Sequence, residues 1–275
     1  MTDEPWIVRS GDAPDAPFAM SVTPERAGWV YSGLRILDLA PGASADFDTG
    51  DEEMLVVPLS GSVDVHVHGP TGAPGSSAGS PDPEASGEAT MLLRGRESVF
   101  TGHTDRAYLP IGSSVRMSSA AGGRFALCTA RAERRYPPLY LAADRVGSAL
   151  RGTGRVSRQV VDLANAELCP ADRLIVCEVY TPAGGTSSAP PHKHDAAGPA
   201  ETELEEIYYF ELSGSGASGG DGSAGARHAT TASDERRIAV DTIVRSGDVA
   251  LVPYGWHGPT TAPGNADLYY LNVMA

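Results

Sequence analysis

Three histidines and a glutamate pair in the second half of the chain have types and spacing suited to holding a metal ion. His192 and His194 lie two residues apart in the segment PPHKHD, and residues i and i+2 of a β-strand point to the same side. The pair Glu205–Glu206 opens the segment EEIYYFEL, and His257 follows the segment VPYG. These ligands suit Zn²⁺, Mn²⁺, Fe²⁺, Co²⁺ or Ni²⁺, and ligand type alone does not choose among them. We predict one divalent transition metal per chain, with Zn²⁺ or Mn²⁺ as the first candidates.

Alternation along EEIYYFEL separates the two glutamates. One face carries Glu206, Tyr208, Phe210 and Leu212; the other carries Glu205, Ile207, Tyr209 and Glu211. The first face has a single charge among aromatic and apolar side chains, which fits a barrel interior with one ligand. We therefore favour Glu206 as the fourth ligand and keep Glu205 as the alternative.

The elements that position these residues are predicted to be β-strands. The chain of 275 residues contains 32 Gly and 21 Pro, and short runs rich in Val, Leu, Tyr and Phe alternate with turn residues. This pattern is typical of an all-β sandwich or barrel. Residues 139–152 are the only helix candidate. Two Gly/Ser-rich segments, 69–89 and 213–235, bury too little apolar surface to fold and are predicted to be mobile loops.

The two halves of the chain resemble each other. GDEEMLVVPLSG in the first half echoes LEEIYYFELSG in the second, and TDRAYLPIG echoes GDVALVPYG. A duplication predicts two domains, 1–145 and 146–275, with the metal in the second because only that half carries the full ligand set. The remaining histidines are interpreted as strand or loop residues: His66 and His68 on a strand, His103 and His228 in loops.

Composition limits the partners. A net charge of −14 opposes binding to nucleic acid or to an anionic membrane surface. Three cysteines at spacings that fit no metal knuckle predict reduced, buried thiols. The start of the sequence lacks the pattern of a signal peptide, and no run approaches a membrane span. We expect a cytoplasmic protein that binds a small molecule and allow for a homo-oligomer.

The motifs resemble those of the cupins. His-x-His followed by Glu corresponds to the first cupin motif, and GDVALVPYGWH (247–257) to the second. PPHKHD, LEEIYYFEL, VPYGWH and DLYYLNVMA together resemble the 5-deoxy-glucuronate isomerase family of myo-inositol catabolism. That resemblance implies an all-β fold of two tandem cupin (jelly-roll) barrels, with a degenerate first barrel. GGTSSA (184–189) departs from the aromatic-rich segment usual there.

The resemblance also implies a reaction. It is the conversion of 5-deoxy-D-glucuronate to 5-dehydro-2-deoxy-D-gluconate, an aldose–ketose isomerisation that moves a proton from C2 to C1 through an enediol. A metal would stabilise the enediolate, and a general base is also required. The catalytic candidates are Glu206, Tyr208, Tyr254 and Tyr270, with Glu205 and Tyr269 also considered. The candidates for binding the substrate are Arg173, Tyr269 and Asn272, with Arg158 also considered; Lys193 is expected to point away from the metal.

Three alternatives stay open at this point. The first is the related isomerase that acts on 5-keto-4-deoxyuronate in pectin breakdown. The second is a cupin dioxygenase that depends on Fe²⁺, and the third is a cupin that binds a sugar acid without turning it over.

Overall fold

The computed structural model describes residues 5–69, 88–214, 225–233 and 236–275. Within these ranges almost all regular structure is β-strand, which confirms the predicted all-β class. Most of the two Gly/Ser-rich segments predicted as mobile loops, 69–89 and 213–235, lies outside the described residues. Where the second segment is described, the prediction is wrong in part. Residues Ala226–Thr231 form a strand, because they alternate in burial and pair with strands on both sides.

The elements follow the chain in this order: β1 (Ile7–Val8), β2 (Met20–Val22), α1 (Pro24–Ala27), β3 (Ser32–Leu39), β4 (Ala43–Asp48), β5 (Glu52–His68), β6 (Ala89–Arg96), β7 (Arg106–Leu109), β8 (Ser114–Ser119), β9 (Gly123–Arg131), β10 (Leu139–Leu141), β11 (Gly147–Arg151), a 3₁₀ helix (Gly154–Val156), β12 (Arg158–Ala164), β13 (Ile175–Thr181), β14 (Thr186–Ser187), β15 (Glu206–Leu212), β16 (Ala226–Thr231), β17 (Ala239–Val244), β18 (Val249–Val252), β19 (Trp256–Thr261) and β20 (Leu268–Met274). Both helices are far too short to cross a membrane, and the described ranges contain no longer apolar helix.

The first barrel is organised around the long strand β5. Along its first half β5 pairs with β9 and β7, and after an irregularity near Pro58 it pairs with β6 and β8. The strand therefore leaves one part of the sheet and continues into another, which curls the sheet around its core. Buried apolar side chains fill that core, among them Val56, Val65, Met117 and Phe125.

The second barrel consists of two sheets. One has the order β1-β18-β15-β20-β13-β12-β11, and the other has the order β14-β19-β16-β17. Tyr208 and Phe210 of β15 lie in the core of this barrel, as alternation predicts. Ile207 and Tyr209 point the other way and belong to a separate core between the barrels. Both faces of β15 are therefore buried, which explains its nearly continuous apolar sequence.

The interface between the barrels also buries an ion pair. Arg96 of β6 donates to Glu178 of β13, and both side chains are almost completely buried. The hydroxyl groups of Tyr180 and Tyr269 donate to the same carboxylate at 3.1 and 2.8 Å. Arg96 comes from the first barrel, whereas Glu178 and both tyrosines come from the second, so this buried ion pair joins the two barrels.

Residues 139–152, the predicted helix, form two strands, so this prediction is wrong. β10 pairs with β7, whereas β11 pairs with β12. Gly147 opens β11, and Gly152 follows it with a φ of +79°, a conformation that interrupts a helix. The pairing partners change from the first sheet to the second between Leu141 and Gly147.

The first described strand belongs to the second barrel. β1 is an edge strand of its sheet and pairs with β18, which in turn pairs with β15. Arg9 and the backbone N–H of Ser10 both donate to the carboxylate of Asp248 at 2.9 Å. The beginning of the chain is thus bound to the sheet that carries Glu206.

Candidate metal centre

Three segments of the second barrel bring the predicted ligands together. Glu206 is the first residue of β15, and His257 is the second residue of β19. His192 forms an isolated bridge with His257 through two backbone hydrogen bonds of 3.2 and 2.9 Å. The segment with His192 and His194 is therefore not the regular strand expected from the sequence, because its pairing ends after this bridge.

The ligand atoms of these residues converge. His194 Nε2 lies 2.9 Å and His257 Nε2 lies 3.1 Å from the same atom, Glu206 Oε2. The Nε2 atoms of His192 and His257 are 3.2 Å apart. The ligand atoms of His192, Glu206 and His257 all lie within 4.8 Å of one another, and the described residues contain no second group of this kind.

Hydrogen bonds on the far side of two rings leave their Nε2 atoms free for a cation. His194 Nδ1 lies 2.6 Å from the carbonyl oxygen of Leu204, and His257 Nδ1 lies 3.2 Å from that of Gly255. A carbonyl oxygen only accepts, so Nδ1 carries the proton and Nε2 of the neutral ring has a lone pair. That lone pair faces the carboxylate of Glu206, and two acceptors repel unless a proton or a cation lies between them. This donor set fits a divalent transition metal.

The same contacts set the protonation of the cluster. Burial opposes ionisation of Glu206, but the hydrogen bonds from His194 and His257 outweigh it and hold the pKa of this carboxyl well below its usual value. Burial also opposes a charge on His194, yet the bond to Glu206 prevails and raises the pKa of this imidazole. Burial and the neighbouring His257 lower the pKa of His192. A metal at these atoms would therefore compete with a proton between His194 Nε2 and Glu206 Oε2.

Glu205, the alternative ligand, points toward the first barrel. Its carboxylate accepts the backbone N–H groups of Val30, Tyr31 and Ser32 at 2.7, 2.8 and 2.7 Å. These three bonds hold the carboxylate away from the histidines. The structure therefore brings Glu206 to the cluster and gives Glu205 a role between the barrels.

Two of the candidate tyrosines lie in the core of the second barrel. The hydroxyl groups of Tyr208 and Tyr270 are both 3.2 Å from Ser188 Oγ. The ring of Tyr208 is 6.2 Å from that of His257, measured between centroids. Burial raises the pKa of both phenols, so they keep their protons. Asn272 stands opposite Tyr208 across β15 and β20, and its buried Nδ2 atom has no hydrogen-bond partner in the part of the chain that the structure describes.

Two other candidates line a cleft between the barrels. Arg173 and Tyr254 border a cleft of about 710 Å³ that His194 also lines. The guanidinium of Arg173 lies 4.3 Å from the centroid of the Tyr31 ring, and its buried Nε has no hydrogen-bond partner within the described ranges. The hydroxyl of Tyr254 lies 3.4 Å from the carbonyl oxygen of Arg237. Both candidates thus share a cleft with one residue of the cluster, His194.

The remaining candidates are placed elsewhere. Tyr269 is buried between the barrels with its hydroxyl on Glu178, because it alternates with the inward-facing Tyr270 on β20. Its position does not support the predicted contact with substrate. Arg158 lines a separate cleft. Lys193 pairs with Glu201 at 2.5 Å.

Sequence reasoning missed His228. It was interpreted as a loop residue, but it lies on β16, where it is only 1% exposed. Its ring centroid is 5.1 Å from that of Tyr208. The alternation of Ala226, His228 and Thr230 was the available signal, and the Gly/Ser-rich sequence before it concealed the strand.

The strand register identifies the residue that replaces Glu206 in the first barrel. Met54 of β5 pairs with Leu109, just as Glu206 of β15 pairs with Val252. In both barrels this partner is followed by the sequence Pro-x-Gly. Met54 therefore stands where the second barrel has the carboxylate of Glu206.

The same register gives equivalents for two histidines. Ser114 follows Leu109 at the interval at which His257 follows Val252, and Ser114 pairs with Asp48 as His257 pairs with His192. Ser114 Oγ donates to Asp48 Oδ1 at 2.6 Å. At these positions the first barrel thus has a thioether, a hydroxyl and a carboxylate instead of the histidine-rich set.

Comparison with known proteins identifies the family. Residues 6–275 match the KduI/IolB family. The 5-deoxy-glucuronate isomerase of Geobacillus thermodenitrificans is 32% identical over 272 residues, which cover 98% of this chain and 89% of that protein. The enzyme of the same name from Bacillus subtilis (strain 168) is 32% identical over 257 residues, covering 92% of this chain and 84% of that protein.

Solved structures agree with this placement. An IolB-like protein from Salmonella typhimurium LT2 superimposes with a TM-score of 0.81 at 26% identity, covering 98% of this chain and 92% of that one. The oxalate decarboxylase of Lactobacillus farciminis shares the fold alone, with a TM-score of 0.65 at 12% identity over 98% of this chain and 85% of that one. These similarities confirm the predicted pair of tandem cupin barrels. With its ligand cluster in the second barrel and a match over nearly its full length, the chain belongs to the KduI/IolB family.

Proposed function

We propose that this protein is a metal-dependent aldose–ketose isomerase that converts 5-deoxy-D-glucuronate to 5-dehydro-2-deoxy-D-gluconate. Relatives named 5-deoxy-glucuronate isomerase align with nearly the whole chain, which supports this substrate. The observation that carries the proposal is the convergence of His192, His194, Glu206 and His257 in the second barrel.

One divalent transition metal is proposed to bind these four side chains. Zn²⁺ and Mn²⁺ are the first candidates, and Fe²⁺, Co²⁺ and Ni²⁺ accept the same donors. When bound, such an ion acts as a Lewis acid that polarises a carbonyl group and stabilises the negative charge of an enediolate. The buried, already ionised carboxylate of Glu206 supports a cation at this point.

The residues inside the barrel are proposed to hold the substrate and move its proton. Tyr208 and Tyr270 remain protonated, so they serve as hydrogen-bond donors to substrate oxygens. Asn272 Nδ2 offers a further donor because no described residue accepts a hydrogen bond from it. Both histidine contacts of Glu206 use Oε2, so we propose Oε1 as the atom that accepts the proton from C2.

The carboxylate of the sugar acid is proposed to bind Arg173 in the cleft beside His194. The guanidinium stacks on Tyr31, and its buried Nε has no partner among the residues that the structure describes. A planar guanidinium binds a carboxylate through two parallel hydrogen bonds. Tyr254 lines the same cleft and is proposed to donate to the substrate from the opposite lip.

We further propose that residues 1–145 and 146–275 form the two domains and that only the second binds metal. The change of sheet partners between β10 and β11 supports this boundary. One strand crosses this boundary: β1, at the start of the first domain, pairs with β18 and so extends a sheet of the second domain.

The decisive experiment combines elemental analysis with an isomerase assay. The purified protein should contain about one equivalent of metal per chain and should convert 5-deoxy-D-glucuronate, and a chelator should abolish this activity reversibly. His192→Ala and His257→Ala should lose metal and activity together. His66→Ala is the matched control, because His66 lies on β5 of the first barrel with its ring on Thr90.

Competing functions predict different results with the same preparations. Faster turnover of 5-keto-4-deoxyuronate than of 5-deoxy-D-glucuronate would assign the protein to the pectin branch. Oxygen uptake by iron-loaded protein would indicate a dioxygenase. Saturable binding without turnover in every metal form would indicate a non-catalytic cupin.

A further inference from the structure

His228 has one ring nitrogen without a partner in the core of the second barrel. The residue is 1% exposed, and its buried Nε2 atom has no hydrogen-bond partner among the described residues. An unpaired polar atom in a protein interior is destabilising and uncommon in native proteins. Such an atom is expected where a bound molecule completes the missing hydrogen bond.

The other side of this ring is held firmly. His228 Nδ1 lies 3.1 Å from Oγ1 of Thr260, which is itself completely buried. The ring packs against Tyr208 at 5.1 Å and Phe210 at 5.6 Å between centroids. The imidazole therefore has a fixed orientation, and the unpaired atom Nε2 cannot simply rotate to a solvent position.

His228 also lies close to the candidate metal centre. It stands opposite Thr260 on β19, whose residue His257 is a proposed ligand. The ring of Tyr208 lies within 6.2 Å of the His257 ring and within 5.1 Å of the His228 ring. Asn272, with its own unpartnered Nδ2, is paired with Tyr208 on the neighbouring strand. Two incomplete hydrogen-bonding groups thus flank one tyrosine beside the cluster.

We propose that His228 contacts the substrate, with Nε2 forming a hydrogen bond to an oxygen atom of the open-chain sugar acid. This inference rests on the proposed function for the identity of that sugar acid. Burial, together with the nearby His257, lowers the pKa of His228 to about 4. The ring is therefore neutral near pH 7 and suits a hydroxyl or carbonyl oxygen, whereas a carboxylate would favour a cationic partner such as Arg173.

Two substitutions distinguish the role of Nε2 of His228 from that of Nδ1. In His228→Asn the short amide keeps a group near Nδ1 for Thr260 but removes Nε2, whereas in His228→Gln the longer amide reaches the position of Nε2. We expect His228→Asn to lower kcat/KM for 5-deoxy-D-glucuronate about 50-fold with unchanged metal content, and His228→Gln to recover part of that loss. His66→Asn, on the first barrel, is the matched control and should leave the rate unchanged.

A spectroscopic readout tests the contact without turnover. The Zn²⁺-loaded protein, labelled with ¹⁵N-histidine, is titrated with D-gluconate, an open-chain sugar acid that has no carbonyl to isomerise. The Nε2 resonance of His228, assigned by its absence in His228→Gln, should shift in a saturable way. An unmoved resonance overturns the proposal, and so does a His228→Asn variant within threefold of the wild-type kcat/KM. If the wild type fails to convert 5-deoxy-D-glucuronate, the proposed function falls, while the gluconate titration still decides the role of His228.

Discussion

Glu53 of the first barrel and Glu205 of the second barrel each accept three consecutive backbone N–H groups from the other barrel. Glu205 accepts three consecutive backbone N–H groups of the first barrel, those of Val30, Tyr31 and Ser32, at the point where β3 begins. Glu53 accepts those of Asp172, Arg173 and Leu174, which precede β13 of the second barrel, at 2.9, 2.8 and 2.9 Å. The duplicated halves are thus joined by a reciprocal pair of carboxylates.

This reciprocity predicts a stability effect for Glu205. Glu205→Ala removes an acceptor of three charge-assisted hydrogen bonds, so we expect the free energy of unfolding to fall by about 2–4 kcal/mol. Urea denaturation followed by circular dichroism measures this change. Glu203→Ala, an exposed neighbour on the same segment, should have little effect. Equal midpoints for both variants would contradict the assigned role.

The buried ion pair between the barrels predicts a larger effect. Arg96→Met leaves the carboxylate of Glu178 buried without its cation, which should cost about 3–5 kcal/mol of unfolding free energy. Arg116→Met removes the cation of an exposed pair with Asp46, 3.0 Å apart, and should cost less than about 1 kcal/mol. Chemical denaturation of the two variants side by side is the measurement. If both variants lose the same unfolding free energy, the buried pair does not stabilise the protein more than the exposed pair does.

Met54 and Glu206 occupy equivalent positions in the two barrels, so replacing each with leucine should affect metal content differently. Met54→Leu replaces one apolar side chain with another, so the protein should keep about one equivalent of metal. Glu206→Leu removes the carboxylate from the cluster and should abolish metal binding. Elemental analysis after dialysis distinguishes them. Loss of metal from Met54→Leu would place a ligand site in the first barrel.

The low pKa of His228 predicts a dependence of stability on pH in the metal-free protein. The folded-state pKa is about 4 against an ordinary value of 6.5, so between these pH values the unfolded chain binds the additional proton. The contribution of His228 is therefore complete above about pH 6.5 and falls as the pH drops toward 4. The stability difference between wild type and His228→Gln should change by about 3 kcal/mol across this window. Urea denaturation at several pH values tests it, and parallel curves would contradict it.

Local patterns were sufficient to predict the geometry near Glu206. Period-two alternation on β15 placed Glu206, Tyr208 and Phe210 on one face, because a single strand fixes which side each side chain takes. The same rule applied to β20 would have turned Tyr269 away from Tyr270. The sequence therefore predicts which face each side chain of a strand occupies wherever large apolar residues recur at every second position.

Other features depended on distant partners that no local pattern contains. Glu205 meets backbone groups of residues 30–32, and sequence spacing gives no indication of this contact. Residues 139–152 have the composition of a helix, but pairing with β7 and β12 decides their conformation. His228 was missed because alanine and threonine mark a strand weakly beside a Gly/Ser-rich segment.

The pairing of β1 with β18 has a practical consequence for dissecting the protein. A fragment that begins at residue 146 would lack β1, leave the edge of β18 bare and remove the Arg9 and Ser10 donors from Asp248. Bare sheet edges recruit other chains and promote aggregation. Expression of the second half alone should therefore give insoluble material unless residues 5–12 are supplied as a peptide or fused in front of it.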